Sequence, residues 1–220
     1  MSHIVEVRPL LRERSKGRAV VRDKEAAVSA ILSAAESEFA RYGLRGARVE
    51  TIANTAGVTK GLIFHYFESK EHLFEVVLMH ASEPMRALLK EIEHSNAAPP
   101  ELLHMLVERF LHAIMEHPLS HLMFTLESIQ GNGEHFQRLK MPSLTGAIER
   151  VLEQGMKQGY FRDLDTRHAA INIVGLCMYY FCAARIHPDP DFRRDPFEKE
   201  KLARHAREVV RFVEARTAAE

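Results

Sequence analysis

The stretch Val49-Glu50-Thr51-Ile52-Ala53-Asn54-Thr55-Ala56-Gly57-Val58-Thr59-Lys60-Gly61-Leu62-Ile63 meets the physical demands of two short helices joined by a tight turn. Ala53 falls where the helices must cross, and a larger side chain there would push them apart. Gly57 falls where the turn needs positive φ, which costs a residue with a β-carbon about 1 kcal/mol or more. Thr59 is a good N-cap, because its hydroxyl can accept from the free amides of the following first turn. Ile52, Val58 and Ile63 are spaced to bury against a preceding helix. The second helix then presents Thr59, Lys60 and Gly61 at its N-terminus, the end that enters the major groove in a helix-turn-helix. Small and polar residues there let the backbone approach phosphates, and the free amides favour negative charge.

Working outward, Val28, Ile31, Leu32, Ala35 and Phe39 recur at helical spacing from about Arg22, and Gly43 is the expected stop of this first helix. Downstream, Ser69 is the next N-cap, opening a long helix through Leu73, Val77, Leu88 and Ile92 that Pro84 should kink or divide. Asn96 to Pro100 forms a break. Leu103, Leu106, Val107, Phe110 and Ile114 predict another amphipathic helix, stopped near His117-Pro118. Further helical runs are expected at 119–130, 133–140 and 142–158, then a turn at Arg162 to Asp165, a long apolar helix over 166–185, and a last helix carrying Leu202, Ala206, Val209, Val210 and Val213. No run alternates in the manner of a strand. The expected fold is all-α with about nine helices: an N-terminal three-helix DNA-binding domain and a larger helical domain.

Ile52-Ala53, Ala56 to Gly61, Tyr66-Phe67, Ser69-Lys70-Glu71 and Leu73 together resemble the N-terminal signature of the TetR-type repressors. Gly159 to Asp165 is similar to a turn that many members carry before their penultimate helix. The resemblance implies that Lys60, Gly61, His65 and Tyr66 lie on the recognition helix and that Lys70 holds a backbone phosphate. Two positions depart from the family pattern. Phe64 stands where the family usually has a tyrosine whose hydroxyl bonds a phosphate. Ala47 and Arg48 stand where threonines commonly open the second helix, so a cap worth about 1 kcal/mol is lost, while Arg48 offers a charged phosphate contact.

Charge distribution agrees with this reading. The 220-residue chain is neutral overall, yet residues 1 to 70 hold 12 Lys and Arg against 8 Asp and Glu, and the remainder holds 18 against 22. A basic head on a larger acidic body suits a polyanion-binding module joined to a sensing one. The expected division is a basic arm over 1–21, a DNA-binding domain over 22–70 and a ligand-binding and dimerisation domain over 71–220. The arm, with Arg8, Arg12, Arg14, Lys16 and Arg18, is either a DNA-contacting segment or a solvated tail.

Other chemistries find less support. Cys177 and Cys182 are the two cysteines and have no metal-ligand spacing, so reduced, buried thiols in a cytoplasmic protein are expected. The uncharged run His168 to Ala184 is shorter than the roughly 20 residues that span a bilayer. Among the 13 histidines, His117 and His121 have chelating spacing, but Pro118 lies between them. There is no nucleophile elbow, phosphate-binding glycine loop or His-Glu-x-x-His. Neither a metal, a cofactor nor an enzyme activity is therefore expected, and no membrane is implied.

The C-terminal part is rich in methionine and aromatic residues, which by default build core. The resemblance implies that part of this interior is an effector cavity. Phe110, Phe124 and Tyr179 are candidate apolar walls, and His121, Glu127 and Asn172 are polar groups within apolar runs that could orient a ligand. Ile171 to Ala184 is too apolar all round to face water and, with the last helix, is expected to form a two-fold interface. The expected function is a dimeric regulator of a palindromic operator on double-stranded DNA, a repressor released by a small apolar or aromatic effector. The alternative is a helical ligand-binding protein or enzyme that has lost DNA binding.

Overall fold

The computed structural model describes residues 18–141, 143–190 and 198–217. Within them the chain forms α1 (Arg18–Gly46), α2 (Val49–Ala56), α3 (Lys60–Phe67), α4 (Lys70–Ala81), α5 (Glu83–Glu93), α6 (Pro99–Glu116), α7 (Pro118–Gln130), α8 (Glu134–Arg138), α9 (Leu144–Lys157), α10 (Thr166–Ile186) and α11 (Lys199–Thr217). No strand occurs among the described residues. These eleven helices exceed the expected nine, in part because the expected long fourth helix is two helices. Pro84 lacks the amide that would continue the ladder from α4, and Ser82, which is buried, closes α4 by donating its hydroxyl to the Met79 carbonyl at 2.7 Å. No helix among the described residues is long and apolar enough to cross a membrane.

The first helix begins at Arg18, ahead of the expected Arg22, so the arm expected over 1–21 is helical in its last residues and otherwise lies outside the described residues. Gly43 does interrupt the helix, at φ 66 and ψ 178, and one further short turn carries the chain to Gly46.

The helices group into two compact units. Among the described residues, one comprises those up to Ser82 together with Pro118–Met141, and the other comprises Glu83–His117 and those beyond Met141. The N-terminal unit therefore contains α7 and α8 as well as α1–α4, a grouping that chain order did not reveal. Its core is Ile31, Ala35 and Phe39 of α1, Ile52 of α2, Ile63 of α3, Leu73, Phe74 and Leu78 of α4, and Met123 of α7. Phe39 meets Phe74 edge-on at 4.9 Å between ring centroids. Each of the larger side chains contributes roughly 1.5–3 kcal/mol on burial, so packing outweighs the loss of any single cap. The C-terminal unit has its own core, with Leu106 and Leu111 of α6, Ile148 and Leu152 of α9, Cys177 of α10 and Val210 of α11.

Candidate nucleic-acid interface

The turn between α2 and α3 is built by three local devices. Gly57 ends α2 at φ 68 and ψ 29, the left-handed conformation expected there. Val58 donates its amide to the Ala53 carbonyl at 3.0 Å, which folds the chain tightly back over the buried Ala53. Thr59 then caps α3, its Oγ1 accepting from the Leu62 amide at 3.2 Å. Ile52 and Ile63 are almost fully buried, so both short helices are anchored to α1 and α4 through one core.

The opposite face is exposed and carries the residues expected to read DNA. Thr59, Lys60, Gly61 and His65 are solvent-exposed, and Tyr66 is half-buried with its ring 5.3 Å from that of His65. Lys24 of α1 approaches the Tyr66 ring at 6.0 Å. Phe64 is 37% exposed, and the Lys60 ammonium lies 5.7 Å from its centroid. Lys60 also forms an ion pair with Glu50 of α2. That hydrogen bond, made by an exposed carboxylate, holds Glu50 below the usual carboxylate range.

Arg48 is exposed and occupies the N-cap of α2 without a side-chain cap. Its amide is met instead by Glu38 of α1, whose Oε1 accepts it at 3.0 Å. Lys70, at the start of α4, is half-buried and donates to the Ala47 carbonyl at 3.2 Å. An ammonium has three donors, so this bond braces the side chain and uses one of them. Glu38 and Glu50 went unnoticed in the sequence, because their partners lie ten residues away and on another helix, outside any i, i+4 rule.

The residues expected to hold an effector are not gathered within either unit. His121, Phe124 and Glu127 belong to the N-terminal unit, and Phe110, Asn172 and Tyr179 to the C-terminal one. Phe124 packs against Phe136 at 5.9 Å between centroids. The buried Glu127 carboxylate is engaged by His135, with Nδ1 at 2.9 Å and the amide at 3.2 Å. Asn172 and Tyr179 are exposed on α10, while Phe110 packs beside Ile114, Phe181 and Leu202. The C-terminal unit does hold an apolar cleft of about 100 Å³ between α6 and α11, lined by Leu103, Val107, Phe161, Val210 and Val213. None of the six expected residues lines it. A second cleft of about 180 Å³, in the N-terminal unit, is lined in part by Arg45, Glu127, Gln130 and His135. The Cys177 thiol is pushed up to about 12 by burial, so it is an inert core group.

A capped, exposed helix N-terminus bearing Lys60 and Gly61, set by a glycine turn on a buried partner helix, defines the class of helix-turn-helix DNA-binding proteins. Residues 31–77 match the family described as bacterial regulatory proteins, tetR family, and residues 99–213 match the tetracyclin repressor-like C-terminal domain. The chain belongs to the TetR family and is a transcriptional regulator. It is 31% identical over 155 residues to the HTH-type transcriptional repressor NicS of Pseudomonas putida, a match covering 68% of this chain and 73% of that one. It is 29% identical over 158 residues to the HTH-type transcriptional regulator RutR of Escherichia coli, covering 69% and 72%. The solved structure of the ketosteroid transcriptional regulator KstR2 of Mycobacterium tuberculosis superposes with a TM-score of 0.70, covering 94% of this chain and all of that one. At 24% identity that likeness speaks for the fold alone.

Proposed function

We propose that this protein is a cytoplasmic homodimeric repressor, a regulator rather than an enzyme, that leaves a palindromic operator when a small apolar or aromatic effector binds. The observation that carries the DNA-binding part is the N-terminus of α3. Thr59 occupies one of its free amides, Lys60 and His65 lie exposed beside it, and Gly61 leaves room for close approach of a duplex. Arg48 and Lys70 flank it as phosphate contacts, and Tyr66 lies next to His65.

The dimer is supported by the outer faces of α10 and α11. Ile171, Leu176, Tyr179 and Ile186 of α10 are exposed, as is Phe212 of α11. Adjacent helices with this much apolar surface gain by meeting a second copy about a two-fold axis, and a pair of heads can then read two half-sites. Phe110, His121, Phe124, Glu127, Asn172 and Tyr179 remain the residues proposed for the effector. Tyr179 and Asn172, being exposed, serve the dimer face at least as naturally as a cavity.

The deciding experiment titrates the purified protein against DNA from upstream of its own gene, over a salt series and with competitor DNA. Tight, competitor-resistant binding that weakens steeply with salt is the expected result. Binding no better than to competitor would favour a helical ligand-binding protein that no longer reads DNA, a reading to which the missing hydroxyl at Phe64 lends some support.

A further inference from the structure

At the reading end of α3, the Lys60 ammonium is already occupied. Glu50, in the first turn of α2, binds it as an ion pair, and the ring of Phe64 lies against it one turn further along α3. Both members of the pair are exposed, Lys60 at 50% and Glu50 at 62%, so a phosphate or base edge that reaches Lys60 competes directly with the carboxylate. Glu50 is anchored in its turn, because its neighbours Val49 and Ile52 are core residues. The carboxylate therefore stays beside the DNA-facing surface whether or not Lys60 remains with it.

We propose that Glu50 is a positioning and selectivity residue: an internal surrogate for phosphate that holds Lys60 against Phe64 and yields it only to a duplex seated closely on α3. This rests on the DNA-binding reading above. An exposed ion pair contributes little stability, so a well-placed acceptor can displace the carboxylate. A duplex of arbitrary sequence is held chiefly by phosphate attraction. It meets Lys60 and Glu50 together and gains almost nothing from the pair. A duplex whose base edges fit α3 approaches far enough for Lys60 to exchange partners. Glu50 thus weakens non-specific binding more than specific binding, and selectivity rises without a base contact of its own. Phe64 suits this arrangement, since its ring offers the ammonium a face.

The test compares wild type, Glu50→Gln, Lys60→Gln and the double variant for binding to a random-sequence duplex, by fluorescence anisotropy over a salt series. All of these side chains are exposed, so the fold is not at stake. Glu50→Gln is expected to tighten random-duplex binding roughly two- to fivefold and to steepen the slope of log affinity against log salt by about 0.9. In the Lys60→Gln background the gain should fall to less than half. Without DNA, carboxyl NMR should find Glu50 titrating lower in wild type than in Lys60→Gln. An equal gain with and without Lys60 overturns the proposal, since Glu50 would then act only through diffuse charge. So does a Glu50 titration indifferent to Lys60. Absence of salt-dependent binding in all four proteins, with the Glu50 titration still answering to Lys60, would defeat the DNA-binding reading itself and leave the pair a surface ion pair.

Discussion

The Glu38 carboxylate on α1 accepts the main-chain amide of Arg48 at 3.0 Å and provides, from a different helix, an acceptor at the point where α2 begins without a side-chain cap of its own. A negative group at this end also complements the helix dipole. Glu38 is buried, so removing its carboxylate leaves the Arg48 amide without its acceptor at a part-buried position. Glu38→Ala should lower stability by about 1–3 kcal/mol, read as a lower urea midpoint with an unchanged slope. Glu38→Gln keeps an acceptor oxygen and should lose less. An unchanged midpoint in Glu38→Ala would show that the capping role is mistaken.

Lys70 joins two tasks that can be separated. Its bond to the Ala47 carbonyl braces the start of α4 against the turn before α2, and its remaining donors face a phosphate in the proposed complex. Lys70→Ala should weaken binding to operator and random DNA by the same factor and flatten the salt slope by about 0.9. Substitutions at His65 should instead change which sequence is preferred. A Lys70→Ala protein that altered sequence preference would place Lys70 among the base-reading groups instead.

Gly43 cannot carry a side chain without two penalties. Its φ of 66 is strained for any other residue, and a β-carbon would come within 2.2 Å of Gln130 Oε1 on α7. The amide end of Gln130 can swing away, but the backbone conformation cannot be relieved so simply. Gly43→Ala should therefore cost about 1 kcal/mol or more. Adding Gln130→Ala should recover only the steric part. Full recovery in the thermal melt of the double variant would locate the whole penalty in the contact.

His205 of α11 stacks on Tyr180 of α10, with ring centroids 4.2 Å apart, and its Nε2 is buried with no hydrogen-bond partner among the described residues. Burial holds its pKa below the ordinary 6.5. The unfolded chain, titrating at the ordinary value, takes up the proton first as pH falls. The contribution of His205 to stability is thus whole above about pH 6.5 and declines below it until the folded protein is protonated too. His205→Gln, which does not titrate, should lose less stability than wild type between neutral pH and pH 5. Parallel loss in the two proteins, followed by urea denaturation at several pH values, would count against the burial effect.

Much of the head was legible because its determinants are local. Gly57 turns, Thr59 and Ser69 cap, and Pro84 divides, each through atoms within a few residues along the chain. The exposed positions Lys60, Gly61 and His65, proposed to face DNA, followed from those turns, since a helix start known to within a residue tells which side chains flank it. The surroundings of the residues proposed for the effector were not legible in this way. Glu127 read as a polar group in an apolar run awaiting a ligand, yet His135 engages it from α8. Asn172 and Tyr179 read as interior, yet both are exposed on α10. Periodicity reports that a helix has an apolar face but not which other helix, or which copy of the chain, will cover it.

By itself the chain's sequence determined an all-α protein with a helix-turn-helix between Val49 and Phe67, because helix period, capping and the backbone freedom of glycine act over single turns. Tertiary structure alone decided that α7 and α8 pack with α1–α4, that Glu38 supplies an acceptor where α2 begins, and that Lys60 is held by Glu50. Those outcomes depend on contacts between segments ten or more residues apart, such as Ser120 with Glu36 at 2.7 Å, 84 positions apart along the chain. Such pairings arise when apolar faces find the arrangement that buries most surface, and no local pattern records which arrangement that is.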